Sequence, residues 1–89
     1  MPVHKHLIIR AEVNHPLVTE KSVRRWLRNL VKKIDMRIIK GPYAAYVSKE
    51  GNRGMTGIVM IETSHIAIHI WDENRPALVQ CDVYSCADF

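Results

Sequence analysis

The stretch ETSHIAIHIW, residues 62–71, constrains the fold more than any other part of this chain. In an extended strand alternate side chains share a face. Ile66, Ile68 and Ile70 therefore line one side of a strand over 65–71, and His65, Ala67, His69 and Trp71 line the other. Three isoleucines spaced two apart commit one face to an apolar core. The histidine row then points away from that core. It is either exposed to solvent or covered by a second sheet, such as one from another subunit.

The core face needs a partner, and the chain supplies one. Val23, Trp26, Leu27, Leu30, Val31 and Ile34 recur at the helical period and form a single apolar stripe. The spacing predicts a helix over 17–35, with Thr19 as a plausible N-cap, Glu20 in its first turn and its end near Asp35. Lys21, Arg24, Arg25, Arg28, Lys32 and Lys33 fall on the opposite side. Strands are predicted over 4–13, over 36–48 with an interruption at Gly41-Pro42, and over 56–62, 65–71 and 77–86. Turns fall at 14–16, 49–54 and 72–76. The order β-α-β-β-β-β predicts an α+β fold, a two-layer sandwich in which one helix covers an antiparallel sheet.

Eighty-nine residues make a single domain over 1–89, small enough that oligomerisation is expected. No apolar run is long enough to span a membrane, and MPVHKHLIIR lacks the apolar core of a signal peptide, so a cytoplasmic protein is expected. The formal charge of +4 permits an anionic partner without demanding one. The basic helix face reads as solvated surface. No aromatic-interleaved motif accompanies it, so nucleic acid is not the expected partner. Cys81 and Cys86, five apart in one strand, lie on opposite faces and are expected to be thiols.

On the residues alone a structural role for the strand histidines and the cysteine comes ahead of any named chemistry, and metal binding is one alternative to it. His4 and His6 share a face of the first strand, and His65 and His69 share a face of another. With a thiol they could ligate zinc, but their spacing matches no zinc pattern and no metal is expected. The short gap between the strands puts Thr63-Ser64 at or near a tight turn, where backbone strain can be held.

A specific resemblance goes further than the residues alone. GMTGIVMIETSHIAIHIWDE at 54–73, followed by DVYSC at 82–86, resembles the core of the prokaryotic S-adenosylmethionine decarboxylases. That family shows a G-x-[ST]-G turn and an apolar strand. A Glu-Ser-His-x-x-x-His-x-Trp-Pro-Glu signature and an Asp-x-[FY]-[ST]-Cys strand follow. HKHLII at 4–9 resembles the family's first strand, with His6 at the matching position. The resemblance covers most of the chain and implies an α/β sandwich that pairs into dimers or higher homo-oligomers.

It also implies roles. The family is made as a proenzyme, and Ser64 matches the serine that attacks the carbonyl before it. Cleavage at Thr63-Ser64 would leave a pyruvoyl cofactor derived from Ser64, an electron sink for decarboxylating S-adenosylmethionine in spermidine synthesis. His69 matches the histidine that assists cleavage, and Cys86 the cysteine that protonates the product carbon. Glu62, His65 and His6 are possible neighbours of the site. The chain departs from the family pattern at several places. Thr63 stands where the junction glutamate is usual and Glu62 lies one position away. Asp72 replaces a proline, Ala87 replaces a glycine, and two extra residues separate Ser64 from Cys86. The chain stops at Phe89 where the family continues, as a short or truncated member would. The alternative is a homologue that does not process itself and binds S-adenosylmethionine, or acts as an oligomeric binding or regulatory subunit.

Overall fold

The computed structural model describes residues 4–86; Ala87 and the residues after it lie outside them. The elements run β1 (Lys5–Val13), α1 (Glu20–Lys33), β2 (Ile38–Val47), β3 (Gly54–Ile61), β4 (Ser64–Trp71) and β5 (Ala77–Ser85). The five strands form one antiparallel sheet in the order β1-β5-β4-β3-β2, and α1 packs across β2 and β3. This is the α+β sandwich expected from the element order.

The helix starts later than its periodicity alone suggests. The Thr19 hydroxyl accepts from the Ser22 amide at 3.1 Å, and Ser22 Oγ answers the Thr19 amide at 3.4 Å, a reciprocal capping box. Leu17 and Val18 are thereby excluded, although Leu17 still packs on the core. The end comes at Ile34, followed by Asp35 at φ 57°. Glu20 in the first turn and Lys32 and Lys33 in the last complement the helix dipole.

Val23, Leu27 and Val31 are fully buried against Val59, Ile61, Ile66, Ile68 and Ile70. Each such side chain contributes roughly 1.5–3 kcal/mol of transfer free energy. Gly57 of β3 sits directly beneath the helix. A Cβ there would lie 2.5 Å from Val23 Cγ1 and 3.0 Å from Leu27 Cδ1, so the missing side chain is what lets α1 approach the sheet.

One expectation is corrected in β2. Gly41-Pro42 does not interrupt the strand; it is absorbed within it as register shifts between Ile38 and Tyr43. β2 is an edge strand, so the N–H that proline lacks can be spared, and Gly41 takes φ 89°. At the other edge α1 does not reach β1. An apolar groove of about 470 Å³ remains there, lined by Leu7, Ile9, Val13, Trp26 and Leu30 among others, and Leu7 and Ile9 are half exposed. No helix among the described residues is long and apolar enough to cross a membrane.

Cys81 lies in the core and Cys86 is half-buried just past β5; both are free thiols. Burial, aided by the Asp82 carboxylate, pushes the Cys81 thiol up to about 11.

Two measurements check this packing. Gly57→Ala should cost about 1–3 kcal/mol by overpacking against Val23 and Leu27, read from denaturant unfolding. In a thiol-titration time course at pH 7.5, Cys86 should react at least roughly 100-fold faster than Cys81, which is both buried and short of thiolate; equal rates would contradict the core position of Cys81.

Candidate functional site

The face of the sheet away from α1 is ordered in cross-strand rows. One row runs His6, Tyr84, His65 and Met60 across β1, β5, β4 and β3. The next runs Ile8, Asp82, Ala67, Ile58 and Tyr43, and the third Arg10, Gln80, His69, Thr56 and Ala45. The expected histidine face is therefore real, but its two β4 histidines occupy different rows.

The junction expected to be reactive lies one pair beyond the first row, where Ile61, Ser64 and Ser85 pair across β3, β4 and β5. β3 and β4 form a hairpin in which Ile61 pairs with Ser64, leaving Glu62 and Thr63 as its two-residue loop. Ser64 takes φ 152°, a value L side chains rarely adopt and one that costs on the order of 1–3 kcal/mol. Its Oγ lies 3.2 Å from His65 Nδ1, and with the imidazole proton on Nε2 the hydroxyl donates to that nitrogen. The carbonyl of Thr63 accepts from the Cys86 amide at 3.0 Å. Thr63 Oγ1 turns the other way and donates to Met36 Sδ at 3.3 Å.

The register between β4 and β5 settles what alternation alone leaves open. Ser64 pairs with Ser85 and His69 with Gln80. Cys86 therefore stands beside the Thr63-Ser64 peptide and away from His69. His69 is five residues along β4 from Ser64, about 16 Å at the rise of a strand. Its Nδ1 lies 3.5 Å from Thr56 Oγ1 on β3, a long contact, and its ring stacks on Trp71. Glu62 is not at the junction carbonyl either. Its carboxylate lies 3.6 Å from Arg37 Nε on the exposed surface, and its amide donates to the Arg37 carbonyl.

The first row carries more aromatic structure than sequence reasoning singled out. Tyr84 is stacked with His65, centroids 5.7 Å apart and planes at 16°. Its hydroxyl is 2.6 Å from His4 Nδ1, and His6 meets its ring edge-on. His6 Nε2 in turn lies 3.4 Å from Asp82 Oδ1. Tyr84 and Thr56 are the residues missed. Both stand inside the quoted DVYSC and GMTG stretches, and alternation places both on the histidine face. Among the described residues no group of three or more His, Cys, Asp or Glu side chains could hold a metal ion.

Comparison with known proteins gives the family of the chain. Residues 5–89 match the family model described as S-adenosylmethionine decarboxylase. The chain is 34% identical over 77 residues to an S-adenosylmethionine decarboxylase proenzyme of Hydrogenobaculum sp., covering 85% of this chain and 53% of that protein. It is 32% identical over 90 residues to the proenzyme of Archaeoglobus fulgidus, covering 99% and 75%. To the Aquifex aeolicus proenzyme it is 35% identical over 68 residues, covering 76% and 46%. The chain thus spans about half the length of two of these three relatives. No solved structure matches. A match that runs through the junction hairpin and on past Cys86, in a sheet that sets the two side by side, means that the chain belongs to the S-adenosylmethionine decarboxylase family.

Proposed function

We propose that this chain cleaves itself between Thr63 and Ser64 and then decarboxylates S-adenosylmethionine, the step that supplies the aminopropyl donor for spermidine. One observation carries this reading above the rest. Three features converge on a single peptide bond: an unfavourable φ at Ser64, an imidazole nitrogen at its hydroxyl, and a backbone N–H on the Thr63 carbonyl. Strain raises the ground state of the bond to be broken. A donor already aimed at the carbonyl oxygen favours the negative charge that develops there when a hydroxyl attacks.

The residues present fit the pyruvoyl group that the family uses. Ser64, from which it would form, opens a strand at the end of the sheet, with no side chain of its own burying the junction in the core. Once formed, that group supplies an electrophilic ketone and an electron sink for loss of carbon dioxide. On this reading Cys86 delivers a proton from Sγ to the substrate carbon, a role supported by the amide bond that holds Cys86 beside the junction.

His69 has a place in this scheme if two copies share a site. Ile8, Ile58, Tyr43 and Met60 leave a band of exposed apolar surface on the histidine face, with Asp82 and Ala67 between Ile8 and Ile58. A second copy packed face to face, with its strands reversed, buries this band and carries its own third row toward the Ser64 end of the first. A homodimer of this kind is the assembly we favour.

A second reading, a homologue that does not process itself and keeps only a ligand site, draws on Glu62. The carboxylate nearest the junction in sequence is engaged by Arg37 instead.

Intact mass spectrometry separates the two readings. Self-cleavage yields two fragments split between Thr63 and Ser64, the C-terminal one captured by a hydrazine; a single full-length mass after prolonged incubation supports the non-processing homologue and overturns the first reading. For the assembly, Ile58→Asp should raise the dimer dissociation constant at least roughly tenfold in light-scattering chromatography, and an unchanged oligomeric mass across concentrations would remove this face as the interface.

A further inference from the structure

We propose, on the self-cleavage reading above, that His65 is the catalytic base that takes the Ser64 hydroxyl proton when the Thr63-Ser64 amide rearranges to an ester. The assignment moves this step from His69, five residues away in another row, to the imidazole that touches the nucleophile. His65 Nδ1 is 3.2 Å from Ser64 Oγ, within the reach a general base needs. The contact is held from the far side of the ring. Tyr84, the cross-strand partner of His65, stacks on the imidazole at 5.7 Å, and Tyr84 is itself tied by its hydroxyl to His4 Nδ1 at 2.6 Å. Tyr84 is thus a positioning residue for His65, and His4 for Tyr84.

The step balances without a co-reactant. The Ser64 Oγ–H proton passes to His65 Nδ1 as Oγ bonds to the Thr63 carbonyl carbon. The charge that appears on the carbonyl oxygen faces the Cys86 N–H. Collapse breaks the bond between the Thr63 carbonyl carbon and the Ser64 nitrogen, and the proton on Nδ1 goes to that nitrogen. The product is an ester with a free Ser64 amine, and His65 is returned to its starting state.

The test follows ester formation in freshly translated full-length chain, by intact mass with and without hydroxylamine, which cleaves an ester but not an amide. His65→Ala should slow the appearance of hydroxylamine-sensitive chain by about 100-fold or more. Added imidazole should restore a substantial part of the rate in that variant and leave the wild-type rate unchanged, a response that a purely structural role does not produce. His65→Gln, which keeps a polar side chain of similar size without a basic nitrogen, should be as slow as His65→Ala; it carries the test if the alanine variant does not fold, with circular dichroism and thermal unfolding checking both. A wild-type chain that cleaves alongside His65 variants of equal rate overturns the role of His65 alone, as does a folded, slow His65→Ala chain that imidazole fails to rescue. A wild-type chain that never forms the ester overturns self-cleavage itself, and the role of His65 with it.

Discussion

Everything in this structure depends on β4 being paired on both sides. It is the central strand, held to β3 by one antiparallel ladder and to β5 by another. Ile66, Ile68 and Ile70 are each nearly inaccessible to solvent, so the strand cannot slip by one residue without sending three isoleucines to the open face and two histidines into the core. That penalty, several times the roughly 1.5–3 kcal/mol of a single buried aliphatic side chain, pins the register. Ser64 therefore has to meet Ile61 on one side and Ser85 on the other.

The reactive geometry is a consequence of that register. With Ile61 opposite Ser64, only Glu62 and Thr63 are left to reverse the chain, and neither takes a positive φ. The positive φ falls instead on Ser64, the first residue of β4, at 152°, a value only glycine adopts at low cost. With Ser85 opposite Ser64, Cys86, the residue just past β5, has its amide aimed at the Thr63 carbonyl. The strain and the hydrogen-bond donor thus come from the same two ladders that bury the isoleucines. Replacing a core residue on β4 acts on the junction through the register, without touching it.

Much of this was legible in the residues. The isoleucine–histidine alternation separated the two faces, the apolar stripe from Val23 to Ile34 found the helix, and the string of strand-like segments after it implied an antiparallel sheet under one helix. Thr19 also marked where α1 begins, and its reciprocal bonds with Ser22 set that start although periodicity runs back to Leu17. What escaped were features set by partners remote in sequence. Gly41-Pro42 looks like a break until β2 is known to lie at an edge. Above all, alternation places His65 and His69 on one face without saying that they stand in different rows. Only the pairing of β4 with β5 shows that Cys86 neighbours Ser64 and that His69 faces Gln80 and Thr56. Glu62 is a similar case: its nearness to the junction in sequence says nothing of Arg37, whose guanidinium holds it at the surface.

The two faces of the sheet are finished differently. The isoleucine face and α1 form one buried interior, and an apolar groove stays open at the β1 edge that the helix does not reach. The polar face has no second layer among the described residues, so nothing there excludes water from Ser64, His65 or Cys86. The row of Ile8, Asp82, Ala67, Ile58 and Tyr43 lies between the His65 row and the His69 row, so the two β4 histidines are separated on one open face by side chains that are mostly apolar.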